Sequence, residues 1–318
     1  MKKICLLFLL SGALFLIETA RGDAGLYASK NEPELPESLA LASFKLVHPL
    51  PKVPEKMMVY KTIDPKISRE DITKLMKTFG LEGKIDDRQR QFVVKDQNRV
   101  LEVFKQPGTG YLRFSNNTKL AIEKEAKNLP SEDNAIDEAK KFLRANDLLP
   151  ENTFLAGVGY YEFRKYDSIG NTIIQGKSAV SIGFGFKIEE MKVEGPGAKA
   201  GVVFGEDGEI IGASKIWREI EPDKEMKIIT PEEAFDKFKQ RWPGEAEPEQ
   251  FKRAKIKTEV SIKEVYVTYY AKPGCVPQDY IEPVYVFKGD YQTSSKIGER
   301  EIKESDYFEI IIPAIPEK

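Results

Sequence analysis

One histidine and two cysteines are the whole stock of imidazole and thiol in this 318-residue sequence. A zinc centre needs about four nitrogen, sulfur or carboxylate ligands, and a nucleophilic thiol needs a neighbouring base or helix N-terminus to depress its pKa. His48 stands between Val47 and Pro49 with no second histidine at ligand spacing, and reads as an exposed spacer. Cys275 lies in the turn-rich run Lys272-Pro273-Gly274-Cys275-Val276-Pro277, far from that histidine in sequence. The expectation is an inert thiol, with an intermolecular disulfide as the lesser alternative, and with no metal, no cofactor and no Cys–His pair.

Phosphate and acid–base motifs fare no better. Gly176-Lys177-Ser178 ends like a P-loop, but Asn171 stands where the first glycine belongs and Ala179 opens an alternating run, not a helix. Gly195-Pro196-Gly197 with Gly201 has a proline inside it and precedes a hairpin, so it reads as a turn. In Glu189-Glu190 and Glu232-Glu233 the members of each pair diverge on either a strand or a helix, so neither makes a glycosidase dyad. No catalytic residue is assigned. Tyrosines remain: Tyr160 and Tyr161, then Tyr266, Tyr269 and Tyr270. Adjacent strand residues face opposite ways, so one of each neighbouring pair leaves the core unless something covers it. An exposed aromatic row suits a peptide or a glycan. These five are the partner-binding candidates, and cross-strand packing is the competing reading.

Three helices are expected to position them. Ser68 caps the first, with Ile72, Leu75, Met76 and Phe79 at helical spacing and Gly80 as its stop. Ser131 caps the second, whose buried side is Ile136, Ala139, Phe142 and Leu143. Thr230-Pro231-Glu232-Glu233 opens the third as a capping box, with Phe235, Phe238 and Trp242 as its stripe. Strands follow each helix: Gln91–Lys95, Arg99–Lys105 and Tyr111–Ser115 after the first. After the second, Val180, Ile182, Phe184, Phe186 and Ile188 alternate with Ser181, Gly183, Gly185 and Lys187, the pattern of a strand with one buried face. Asp207-Gly208 predicts a hairpin between Val202–Phe204 and Glu209–Ile211. Val260–Tyr270, Tyr280–Phe287 and Tyr307–Ile312 follow the third helix. The fold class expected is α+β: antiparallel β-meanders each packed against one α-helix, in two domains holding three helix-plus-sheet units.

The segment Ala200-Gly201-Val202-Val203-Phe204, through Asp207-Gly208-Glu209-Ile210-Ile211-Gly212 to Trp217-Arg218, resembles the hairpin-and-tryptophan section of PepSY-like modules. These are related to thermolysin propeptides. Thr230–Phe235 is similar to their recurring helix, and Tyr280–Phe287 and Phe308–Ile315 to closing strands, so the resemblance spans roughly residues 131–315. It implies a secreted, non-catalytic module that inhibits, assists or regulates another protein. No protease segment follows Lys318, so a propeptide role in cis is not expected.

Location is written at the N-terminus. Lys2 and Lys3 precede the uncharged, mostly apolar run Ile4–Ile17, and Ala20-Arg21-Gly22 supplies small residues for cleavage before Asp23. Cleavage near Gly22 would remove Cys5 and leave Cys275 without an internal disulfide partner. A membrane span needs ~20 apolar residues and no other run approaches that. The domains expected are a signal peptide over 1–22, a proline-rich extended linker over 23–55, an N-terminal domain over 56–127 and a C-terminal domain over 128–318. Hydrophobic residues at 41% and charged residues at 31% exclude wholesale disorder, and 49 basic against 51 acidic residues leave no surplus to hold nucleic acid. The expected function is an exported binding or regulatory protein for an envelope or extracellular protein partner. A secreted hydrolase or glycan binder with a site assembled by folding, and a structural surface component, are the alternatives.

Overall fold

The computed structural model describes residues 42–121, 124–166, 172–241, 257–297 and 300–316. The expected leader, Pro33, Pro36 and Trp242 lie outside them. In chain order the elements begin with β1 (Ala42–Leu46), β2 (Lys56–Thr62), α1 (Arg69–Thr78), β3 (Ile85–Asp87), β4 (Gln91–Asp96) and β5 (Arg99–Phe104). Next come β6 (Tyr111–Asn116), α2 (Asn117–Leu120), α3 (Glu132–Ala145), β7 (Thr153–Tyr166), β8 (Thr172–Ile188) and β9 (Met191–Glu194). The rest are β10 (Lys199–Phe204), β11 (Ile210–Ile216), β12 (Ile220–Lys227), α4 (Pro231–Arg241), β13 (Lys257–Tyr270), β14 (Tyr280–Ile297) and β15 (Arg300–Pro313).

The chain forms two compact units. One holds Thr62–Glu221 with Ala271–Asp279; the other holds the described part of Thr19–Lys61, Pro222–Tyr270 and the strands from Tyr280 onward.

The expected helix-plus-sheet units are not present. Strands hold 53% of the described residues and helices 17%. In the first unit the strands after α1 and those after α3 belong to one sheet, in the order β7-β8-β10-β11-β6-β5-β4-β3. The join is the β6–β11 ladder, where Phe114 faces Ala213 and Ser115 faces Gly212. Both helices then serve one core. Phe79, just past α1, stacks on Phe114 with centroids 4.3 Å apart and also meets Phe142 of α3 at 5.9 Å. Ala135, Ala139 and Leu143 of α3 are wholly buried. A pairing between segments a hundred residues apart leaves no local periodicity, which is why the meanders read as separate.

Local chemistry explains the elements themselves. Ser68 and Asp71 form a reciprocal capping box on α1, and Gly80 ends that helix region at φ 62°. Gly195-Pro196-Gly197 is a turn after β9, and Gly176-Lys177-Ser178 lies inside β8 with no helix behind it. Asp207 and Gly208 take φ values of 56° and 76° in the β10–β11 hairpin. Along β8 the apolar set Val180, Ile182, Phe184 and Phe186 is at most 1% exposed. The opposite set is covered as well: Ser181 is buried, and the Phe154 ring lies where a side chain on Gly185 would have to stand.

In the second unit β14 pairs with β13 and β15 along most of its length, and with β2 at Tyr280 and Ile281. The edge strand β1 lies parallel to β13, so the sheet is mixed. Thr230 and Glu233 exchange the two bonds of a capping box at the start of α4. That helix places Phe238 against Phe287 at 4.7 Å and against Phe44 at 5.7 Å. The Tyr285 hydroxyl donates to the Ile229 carbonyl at 2.7 Å, and burial pushes its pKa up to about 12.

Candidate functional site

The tyrosines divide as strand geometry demands. Tyr160 and Tyr161 are neighbours on β7 in the first unit, and their rings leave the sheet on opposite faces. Tyr160 turns toward α3: its hydroxyl donates to Glu132 at 2.9 Å, and Lys177 Nζ lies 3.3 Å from its ring centroid. Its pKa is raised by burial first and by the Glu132 bond second. Tyr161 turns to the other face, where burial raises its pKa to about 12 against an opposing pull from Arg113.

Tyr266, Tyr269 and Tyr270 all lie on β13 in the second unit. Tyr269 is 1% exposed, with its ring edge-on to Tyr60 at 5.4 Å, so it is a core residue and not a contact surface. Tyr266 and Tyr270 are half-buried on the opposite sheet face, and Lys288 Nζ stands 5.4 Å from the Tyr266 ring. Thus Tyr269 packs inward and the other four keep an accessible portion.

Tyr161 borders a shallow, open hollow of about 60 Å³ on the first unit's sheet. On this face the ladders put Gly201 opposite Ser214 and Gly212 opposite Ser115, with Ser181 opposite the larger Val203. Tyr161, Leu120 and Arg113 line the hollow together with these residues. Arg113 is hydrogen-bonded to Tyr111, whose pKa burial raises, and it faces Glu102 across the β5–β6 ladder. Ser181 Oγ donates to the Gly159 carbonyl at 3.3 Å. Arg113, Ser115 and Ser214 were not singled out in the sequence. The available signal was the run of small residues at alternate positions of β8, which marks a strand face bare of large side chains.

A second arrangement is structural. Arg218 is 1% exposed. Its Nε donates to the Gly108 carbonyl at 2.7 Å, Nη1 to Lys272 at 2.9 Å, and Nη2 to Pro273 at 2.8 Å and Val276 at 2.5 Å. Burial pulls its pKa down to about 10, and Cys275 acts in the opposite sense. Gly197 lets the clamp close, since a Cβ there would sit 1.9 Å from the Lys272 carbonyl oxygen. With most of its donors on main-chain carbonyls, Arg218 fastens loops and is poorly disposed to grip an anion. Cys275 is half-buried within the loop so fastened.

The third feature is an arm. Beyond Tyr161 and Ser178, β7 and β8 continue as a two-stranded ribbon in which Phe163 faces Gly176 and Lys165 faces Ile174. Ile173 is 61% exposed, Ile174 49% and Tyr166 46%. Among the described residues β7 pairs with β8 alone, so its outer edge of amides and carbonyls has no ladder partner there.

No known protein family matches the chain, and no curated protein does. Among solved structures it is similar to an uncharacterized protein from Eubacterium rectale ATCC 33656. Identity is 12% and the TM-score 0.46, over 82% of this chain and 85% of that one. No helix among the described residues is long and apolar enough to cross a membrane.

Proposed function

We propose that this is an exported, non-catalytic binding protein that engages a protein of the cell envelope or extracellular space by accepting a strand along its β7–β8 ribbon. The observation that carries the reading is the ribbon itself, which presents Tyr166, Ile173 and Ile174 to solvent beside a strand edge that has no ladder partner among the described residues. Natural sheets blunt such edges or use them, because an added strand gains a ladder of main-chain bonds while its side chains fill neighbouring positions. Arg164, Lys165 and Lys177 outnumber Glu162 among the ribbon's described residues, which favours an acidic partner segment. Export rests on the leader pattern of Lys2 to Gly22, and regulation of another protein is also what the PepSY-like resemblance implies.

A photo-crosslinking residue placed at Ile173 of the exported protein tests this directly, with the same residue at Lys224 as the control. The expected result is one discrete adduct from position 173, lost when Ile174 is changed to Asp while thermal stability is unchanged. Adducts of equal yield from both positions, or none from 173, would reject the reading.

A further inference from the structure

We propose that the strand accepted by the β7 edge is β15 of a second copy of this chain, so that copies join through one basic and one acidic strand edge. The proposal rests on the strand-acceptance reading and names the strand. It begins with the sheet edges. β1 is five residues long, β3 is three, and β12 carries Pro222 within its eight, so these edges are blunted as natural sheets blunt them. β7 and β15 differ. Each runs for 14 residues, proline enters only at the last position of β15, and among the described residues each pairs with a single strand.

Charge matches one edge to the other. The ribbon offers Arg164 and Lys165, both exposed and in no ion pair among the described residues. From Ile302 to Glu309, β15 carries Glu304, Asp306 and Glu309, which outnumber Lys303. Glu309 is held by Lys288 at 3.2 Å, whereas Glu304 and Asp306 are exposed and in no ion pair among the described residues. Their field is felt on the neighbouring strand, where the Tyr291 pKa is raised by burial first and then by Asp306 and Glu304. Asp306 Oδ1 accepts from the Tyr307 amide at 2.7 Å, and an arriving guanidinium can bond the lone pairs that remain.

Register agrees with charge. An antiparallel pairing with Arg164 opposite Asp306 sets Phe163 against Tyr307, which is 60% exposed, and Tyr166 against Glu304. Cross-strand aromatic and opposite-charge pairs of this kind favour a ladder, and no like charges then face each other. Each copy supplies one edge of each kind, so the contact recurs from copy to copy.

Sedimentation velocity of the full mature chain tests this. At roughly 100 µM protein and low salt the mass should exceed that of one chain, and it should fall back at about 0.5 M salt, where screening shortens the reach of the charges. The double variants Arg164→Glu/Lys165→Glu and Glu304→Lys/Asp306→Lys should each be monomeric, and their equal mixture should associate, because each offers the other its complement. A monomeric wild type, association that salt leaves unchanged, variants that associate alone, or a mixture that does not would each overturn the proposal. If either variant loses its thermal transition, the crosslinking residue at position 173 decides: an adduct of twice the chain mass agrees, and one of any other mass overturns it. An adduct with a different protein beside a monomeric wild type sinks this inference and leaves the strand reading standing, whereas no adduct from 173 sinks both.

Discussion

At the scale of single residues, the largest commitment in the molecule is Arg218. A guanidinium with no carboxylate beside it would be strongly unfavourable in an apolar interior, and four carbonyl dipoles replace the lost hydration. The bonds join residues far apart in sequence, Gly108 on one side and Lys272 to Val276 on the other, so they fix loops that no strand ladder holds. Arg218→Met should therefore cost about 3 kcal/mol or more, because several buried acceptors lose their donor together. Arg218→Lys should recover less than half of that, since an ammonium has three donors at one point and cannot span the fork. Urea unfolding midpoints of the three proteins measure this. A loss below about 1 kcal/mol for Arg218→Met would mean that water takes over the carbonyls and the clamp is dispensable.

At the scale of elements, β8 carries the first unit because it can be covered on both faces. Its glycines make room for aromatic rings from β7: Phe154 faces Gly185 and Phe163 faces Gly176 in register. A Cβ at Gly185 would meet the Phe154 ring at 2.4 Å. Gly185→Val should destabilise by about 1–3 kcal/mol through overpacking, and adding Phe154→Ala should restore part of that loss. Thermal unfolding of the two single variants and the double variant closes the cycle, and strict additivity would show that the ring does not cover this glycine. The same strand shows what sequence can and cannot tell. Its period-two pattern was legible, as were the caps at Ser68 and Thr230 and the Asp207-Gly208 turn, because each is a local contest among a few dihedrals and hydrogen bonds. The pairing of β6 with β11 was not, since a ladder between distant segments depends on which edges remain unoccupied after collapse. For the same reason the hollow was invisible. Tyr161 stands out in the sequence beside its neighbour Tyr160, while Arg113 and Ser115 acquire meaning only when β6 is laid beside β11. Tyr269 went the other way, into the core against Tyr60, since strand parity selects a side but does not say which side is covered.

At the scale of the whole molecule, the chain builds its two units by returning to each. Residues before Lys61 start the second unit, Thr62–Glu221 make most of the first, and Ala271–Asp279 rejoin the first between β13 and β14. That return is held by Arg218, by Ala271 N bonded to the Glu194 carbonyl at 2.9 Å, and by Gly110 N bonded to Gly274 at 3.0 Å. The second unit is completed only by the last strands. Tyr60 pairs with Ile281, and β14 is the shared partner of β2, β13 and β15. Ladders of such separation form late, because loop closure must precede the contacts that reward it. A chain ending at Asp279 keeps every described segment of the first unit and loses both β14 and β15 from the second, along with Phe287 and Phe308, against which Phe238 packs. Limited proteolysis of that truncation should cut within 222–270, where β13 and α4 have lost their partners, while Thr62–Glu221 resists at a protease ratio that leaves the full chain intact. Cleavage spread evenly through both segments would show that the first unit cannot hold its own sheet, and that the two fold as one cooperative body.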